Sequence, residues 1–339
     1  MIIGFDGSRA FSKDRTGTEN YSYQLLRALA KIDKKNSYLI FLRPGVKVED
    51  FPKNFYFKTI NWPRFWTQGG LAKQTFHDKL DVLFIPAHTS PLFHKPGLKT
   101  VVTVHDLGSE YLPKMHQLKQ RLYLKWITHY QLKHATKLIA VSKATKEDLI
   151  KKVGIDPQKV AVIYEGYNKE LYFDTKRDIK DFFLFVGTVQ PRKNLERLIK
   201  AVTKLGEKLV IVGSRGWHSE KIYQAPNNIK FLGRVLDKDL PKLYREAKAL
   251  LFPSLFEGFG LPILEAQVCG CPVLTSNISS MPEVAGKGAI YVNPYDIDDI
   301  VRGIKQIDRE KLIKAGFENI KRFSWKKCAQ QTLKVLESI

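Results

Sequence analysis

The stretch Phe252–Pro282, FPSLFEGFGLPILEAQVCGCPVLTSNISSMP, decides how the rest of the chain is read. An apolar run closes at Pro253 and reads as a buried strand. The turn Glu257-Gly258-Phe259-Gly260 follows, and Pro262 suits the first helical position, where a missing N–H has no partner to lose. Gly258 and Gly260 allow a ligand to come close to the backbone, and the helix start at Leu261 offers free N–H groups to an anion. Glu257 sits in the loop and Glu265 about one turn into the helix. Both carboxylates are therefore placed to accept hydrogen bonds from ligand hydroxyls beside an anion site. Taken alone, the turn is equally a strand-turn-helix corner whose glutamates face solvent.

The same grammar runs in both directions from this stretch. In the second half, strands are predicted at Phe182–Gly187, Lys208–Gly213, Ile229–Leu232, Ala249–Pro253, Pro272–Thr275 and Ala289–Val292, with Asn194 capping a helix that runs to about Leu205. In the first half they are predicted at Ile2–Asp6, Tyr38–Leu42, Val82–Pro86, Thr100–His105, Lys137–Val141 and Lys159–Ile163. Helices are predicted between them at Thr18–Ile32, Trp66–Lys79, Lys114–Lys133 and Lys143–Val153. Short apolar runs alternating with helical patterns define an α/β protein with parallel sheets, here as two Rossmann-like units in tandem. Such sheets hold ligands beyond the carboxyl ends of their strands, which places the expected site in a cleft between the domains. The polar stretch Asp174–Asp181 reads as a linker, giving domains of 1–174 and 175–324.

Composition agrees with this plan. A chain of 339 residues is more than twice a typical domain length. Its 44% hydrophobic and 27% charged residues exclude wholesale disorder, collagen and a coiled-coil rod. No stretch approaches the ~18 apolar residues of a spanning helix. The start MIIGFDGSR lacks the basic and apolar regions of a signal peptide. Cys269, Cys271 and Cys328 are too few and wrongly spaced for a disulfide framework or a zinc site. A soluble, reduced, cytoplasmic protein without a bound metal is expected.

Lys and Arg number 56 against 34 Asp and Glu, a net charge of +22, with +13 carried by residues 1–170 and +9 by the remainder. Such a field favours polyanions, among them nucleic acid, anionic lipid and phosphorylated substrates. A Lys-rich composition with no such partner explains the same number.

The spacing of Glu257 and Glu265 resembles the E-x7-E motif of the retaining glycosyltransferases of family 4, and the resemblance covers nearly the whole chain. It implies a GT-B fold of two Rossmann-like domains facing a central cleft, the first binding acceptor and the second binding a nucleotide-sugar donor. The segment FVGTVQPRKN, Phe185–Asn194, is similar to the one that opens the family's second domain, so Arg192 and Lys193 are expected at the donor diphosphate. Cations beside a helix start stabilise charge that grows on a nucleotide leaving group; by themselves they are also an ordinary Arg-Lys pair in a capping loop. Arg234 and Val235 match the segment whose backbone meets the nucleotide base. Glu265 is expected at the ribose, and Glu257 with His105 at the transferred sugar. Asp106 is the expected partner that orients the His105 ring, although a lone histidine at a strand end is equally a cap. Gly258, Phe259, Gly260 and Leu261 complete the donor loop. Gly17, opening the first long helix, would admit the diphosphate from the N-terminal side, where Thr18 replaces the family's second glycine. Ser142 is either a donor contact or a helix N-cap. The segment from Trp325 to Ile339 resembles the family's last helix, which returns to the first domain.

From Lys114 to Lys143 there are seven Lys or Arg and no acidic residue, while Met115, Leu118, Leu122, Trp126 and Tyr130 recur at helical spacing. The basic face, with Lys114, Lys119, Arg121 and Lys125, reads either as solvated or as a patch for an anionic inner-membrane surface. The implied reaction is a retaining, metal-independent transfer of a hexose from a nucleotide-sugar, GDP-mannose first and UDP- or dTDP-sugars next, to a glycan or lipid-linked acceptor. Rival classes are a nucleotide-sugar epimerase, disfavoured by E-x7-E together with PRKN, and a non-enzymatic polyanion binder. Nucleic acid is not an expected partner, because no reading motif accompanies the charge.

Overall fold

The computed structural model describes every residue except 13, 14, 16, 88, 108–126 and 217–219. The chain forms two compact units: Met1–Gly166 together with Ser324–Ile339, and Tyr167–Phe323.

The first unit is built on a parallel sheet of seven strands in the order β3-β2-β1-β4-β5-β6-β7. These are β1 Ile2–Asp6, β2 Ser37–Leu42, β3 Phe55–Thr59, β4 Val82–Ile85, β5 Lys99–Val104, β6 Lys137–Ala140 and β7 Val160–Val162. Central strands such as β4 are buried along their whole length, as expected when helices cover both faces of a parallel sheet. The helix Gly17–Ile32 buries Tyr21, Leu25, Leu26 and Leu29, and the C-terminal helix Trp325–Glu337 packs against it. The sequence reading omits β3, which lies at the sheet edge and buries only Phe55. The expected helix Trp66–Lys79 is a π-helical turn, Trp66–Leu71, followed by an α-helix, Ala72–His77. Trp62 lies on Gly69 so closely that a Cβ there would be 2.6 Å from its indole nitrogen. The expected helix Lys143–Val153 is α-helical to Asp148 and π-helical from Leu149 to Val153. Most of the predicted Lys114–Lys133 helix lies outside the described residues.

The second unit has a parallel sheet in the order β10-β9-β8-β11-β12-β13. Its strands are β8 Phe183–Val186, β9 Leu209–Val212, β10 Ile229–Gly233, β11 Leu250–Phe252, β12 Val273–Ser276 and β13 Ala289–Val292. Chain order reverses between β8 and β11, which pair directly. That is the switch point of a doubly wound sheet, where loops leave in opposite directions and open a crevice. The stretch Asp174–Asp181, read as a linker, is instead fastened to this unit. Arg177 donates to Asp174 and to the Gly270 carbonyl, and the Lys180 ammonium meets Glu246 at 2.7 Å.

Candidate active site at the switch point of the second sheet

Two loops meet where β8 and β11 end. The first leaves β8 at Gly187, makes a single 3-10 turn at Pro191–Lys193, and enters the helix Leu195–Lys204 through Asn194 in the left-handed region (φ 61°). Asn194 occupies the N-cap position, but its side chain does not cap. Its Nδ2 donates to the carbonyls of Pro253 (3.0 Å) and Pro294 (2.6 Å), tying this loop to those after β11 and β13. The second loop leaves β11 and carries Glu257. Arg192 Nη1 reaches Glu257 Oε2 at 2.6 Å and the Phe256 carbonyl at 3.1 Å, while Lys193 Nζ reaches Glu257 Oε1 at 2.5 Å. The Lys193 ammonium also lies 4.8 Å from the centre of the Phe252 ring.

Lys193 and Glu257 are each only 6% exposed, while Arg192 is half-buried at the rim of the cluster. Burial alone would raise the Glu257 carboxyl, but Arg192 and then Lys193 oppose it and hold it at about 2. Two cations thus face one carboxylate. The Glu257 backbone is fixed by the segment after β12: Ser279 Oγ accepts from its N–H and donates to its carbonyl, and Ser280 Oγ donates to the carbonyls of Glu257 and Phe259.

Gly260, at φ 113°, forms the N-cap of the helix Leu261–Val268 with no side chain in the cap, and Gly258 and Phe259 are buried beside it. One turn on, Glu265 accepts from the Tyr244 hydroxyl at 2.8 Å and from Tyr172. Here burial dominates, the two tyrosines oppose it only in part, and the carboxyl is raised to about 7. Arg234 and Val235 follow β10, just after Gly233 in the left-handed region, with Arg234 exposed.

In the first unit, Gly17 opens the helix Gly17–Ile32 and is exposed, with nothing near a would-be Cβ. Ser142 is the N-cap of the helix starting at Lys143: its Oγ accepts from Thr145 N and donates to the Thr145 hydroxyl, with no exposed surface left. His105 is buried at the end of β5, its Nε2 2.8 Å from the Pro86 carbonyl and its Nδ1 3.4 Å from Glu165. The carboxylate facing the ring is thus Glu165, beyond β7, in place of the neighbouring Asp106. Lys114, Lys119, Arg121 and Lys125 lie outside the described residues.

The structure therefore joins Arg192, Lys193 and Glu257 in one cluster and seats Glu265 in a tyrosine-lined one. Sequence reasoning missed Tyr172, Tyr244, Ser279, Ser280 and Glu165. The paired serines stand inside the stretch Phe252–Pro282, but their hydroxyls, like that of Tyr244, point at partners chosen by the sheet order. Among the described residues no group of His, Cys, Asp and Glu is placed to hold a metal, and no helix is long and apolar enough to cross a membrane.

Two doubly wound parallel sheets in tandem are the architecture of the GT-B fold. Residues 15–171 match the family described as "Glycosyltransferase Family 4", and residues 169–332 match "Glycosyl transferases group 1". The O-antigen chain mannosyltransferase RfbU of Salmonella typhimurium is 32% identical over 322 residues, spanning 88% of each chain. O-antigen chain mannosyltransferase B of Escherichia coli is 28% identical over 297 residues, 77% of this chain and 78% of its own length. The crystal structure of HepE from Anabaena in complex with UDP-glucose is similar in fold, with a TM-score of 0.75 at 19% identity, covering 100% of this chain and 99% of that one. The chain belongs to glycosyltransferase family 4.

Proposed function

We propose that this glycosyltransferase moves mannose from GDP-mannose, with retention of configuration, to a glycan or lipid-linked acceptor in polysaccharide assembly. The observation that carries the reading is the Arg192–Glu257–Lys193 triad at the switch point, two cations oriented about one carboxylate. Arg192 and Lys193 would neutralise the charge growing on the departing diphosphate, work that needs no obligatory metal. Glu257 has lone pairs left to accept from a sugar hydroxyl while both cations keep it ionised. Glu265, once ionised, would accept from the ribose hydroxyls. The leaving phosphate would take the acceptor proton, so these side chains act by position and charge. The two mannosyltransferase relatives support the sugar. The HepE complex supports the alternative, a UDP- or dTDP-sugar carrying glucose, N-acetylglucosamine or rhamnose.

The test is saturable binding and slow hydrolysis across a panel of nucleotide-sugars, followed by the anomeric configuration of the transferred product and its yield with a chelator present. Saturation with GDP-mannose, an α product from the α donor and indifference to chelator support the reading; preference for a uracil or thymine nucleotide selects the alternative.

An anionic inner-membrane surface is the partner proposed for the first unit. Phe65, Phe76 and Phe93 are 80%, 54% and 76% exposed. Exposed Arg64, Lys73 and Lys95 accompany them, with no acidic residue in 60–77 or 89–99. Gln68 bonds the Ser90 carbonyl and the Leu92 N–H, and Thr75 bonds the Lys95 N–H, which brings the two segments together. Exposed aromatics among lysines fit a lipid headgroup layer, each cation contributing about 1 kcal/mol before salt screening. Vesicle co-sedimentation that rises with anionic lipid and falls with salt supports this; equal binding to neutral vesicles counts against it.

A further inference from the structure

His105 is enclosed at the carboxyl ends of the first sheet, and both ring nitrogens face acceptors. Nε2 lies 2.8 Å from the Pro86 carbonyl, an oxygen that can only accept, so this nitrogen carries a proton. Nδ1 lies 3.4 Å from Glu165 Oε1, a distance at which a protonated Nδ1 and a carboxylate form an ion pair. Facing a carboxylate, a neutral imidazole can donate to one of these neighbours but not to both.

Among the described residues, the helix Gly17–Ile32 and the C-terminal helix also face the ring. The edge of the Tyr21 ring, from the helix Gly17–Ile32, packs on it with centroids 4.7 Å apart, and Tyr21 Oη is engaged with Thr103. Cys328, from the C-terminal helix, lies against Tyr21 and Glu165, and burial pushes both the phenol and the thiol up, so neither is charged near neutrality. Among the described residues, the charged groups acting on the ring are Glu165 and, more weakly, Asp106. Burial works to discharge the imidazole, but the Glu165 contact and the Pro86 carbonyl outweigh it and raise its proton affinity above the ordinary value.

We propose that Glu165 is a positioning residue that holds His105 as a doubly protonated, oriented imidazolium, so that His105 serves glycosyl transfer as a fixed cation and takes no part in proton shuttling. This rests on the proposed glycosyl transfer, with His105 among the residues that serve it. With both N–H groups committed to Glu165 and Pro86, the ring has no lone pair with which to accept the acceptor's proton. That is consistent with a reaction in which the leaving phosphate takes it. The ring also clamps the ends of three strands: Pro86 after β4, His105 after β5 and Glu165 after β7.

The experiment is a pH titration of the full-length protein labelled with 13C and 15N in its eight histidines, with His105→Gln identifying the His105 signals. The wild-type ring is expected to keep the imidazolium signature at pH 7.5. In Glu165→Gln, which retains an acceptor oxygen without the charge, it should lose its proton at or below the ordinary pKa of about 6.5. The kcat/KM of that variant should then fall roughly tenfold between pH 6 and 7.5, the drop set by that pKa, while Glu165→Asp restores a flat profile. A neutral wild-type ring at pH 7.5, or a His105 titration indifferent to Glu165→Gln, overturns the proposal. So does a kcat/KM lowered by the same factor at every pH, the mark of a merely structural role. Because the titration needs no substrate, a ring that behaves as expected in a protein inert toward every nucleotide-sugar supports the pairing and rejects the proposed reaction instead. Should Glu165→Gln not fold, the wild-type titration and Glu165→Asp still decide.

Discussion

Glu257 and Glu265 lie eight residues apart in one strand-turn-helix unit, yet their environments drive them in opposite directions, to about 2 and about 7. Glu257 is buried and Glu265 partly so, and loss of water by itself raises a carboxyl. The difference lies in who comes to meet them. The loop after β8 delivers two cations to Glu257, whereas Glu265 receives only tyrosine hydroxyls, dipoles too weak to offset burial. The same residue type thereby becomes a permanent counter-ion at one position and, at the other, a group on the edge of ionisation.

The most severe way to break this contrast is Glu257→Ala. It leaves Arg192 and Lys193 without their counter-charge, and about 3–5 kcal/mol of stability should vanish in urea unfolding at pH 7. The pH dependence has a definite sign. Glu257 is depressed from 4.5, so its contribution is complete above 4.5 and lost as pH falls toward about 2. The variant should therefore lose less stability than the wild type over that window. A variant as stable as the wild type would mean that the triad is loosely held.

Removing one cation is the next largest change. Arg192→Ala or Lys193→Ala should lower kcat by about 10²–10³, as for the loss of one donor to developing negative charge. KM should move less, because leaving-group charge grows toward the transition state. Wild-type turnover in both variants, measured with a confirmed donor, would exclude the diphosphate role.

Glu265 sharpens the comparison from the other side. Glu265→Ala should weaken donor binding by roughly 1.5–3 kcal/mol in calorimetry, the loss of a charged hydrogen-bond partner. Ribose hydroxyls need an ionised acceptor, so wild-type affinity should rise with pH up to about 7 and then level off. Glu265→Gln should flatten that curve. Apo stability should run the other way, since a carboxyl raised from 4.5 contributes below 4.5 and loses that contribution as pH climbs through about 7.

The smallest effect belongs to Tyr244→Phe. Its hydroxyl holds the Glu265 carboxyl down, so its loss should move the midpoint of the affinity curve upward and cost about 1 kcal/mol of donor binding near pH 7. A midpoint that stays in place would assign the control to Tyr172.

These partnerships divide what can be read along a chain from what cannot. Wholly apolar strands such as Phe183–Val186 and Leu250–Phe252 announce themselves, and Gly260 before Leu-Pro marks its helix start. Phe55–Thr59 does not, because an edge strand with one buried residue has no distinctive pattern. Within the π-helical turn at Trp66–Leu71, Trp62 lies over Gly69, a contact no periodicity reveals. At the site, residue types and loops were legible but pairings were not. Asp106 is next to His105 in sequence, whereas Glu165 reaches it because β5, β6 and β7 are neighbours. Lys193 meets Glu257 across 64 residues because β8 and β11 pair.

The first unit is also discontinuous, and this governs the order of events during synthesis. The helix Trp325–Glu337 sets Trp325 5.8 Å from the Tyr21 ring and joins Asn36 to Glu337 at 3.0 Å, closing over residues made at the beginning. Residues 1–166 leave the ribosome with that face uncovered, and the whole second unit must be translated before the closing helix exists. At ~5–20 residues per second the wait is on the order of ten seconds or more. The second unit, continuous from Tyr167 to Phe323, has no such dependence, so the part that carries the cation cluster is able to finish folding before the part that was made first.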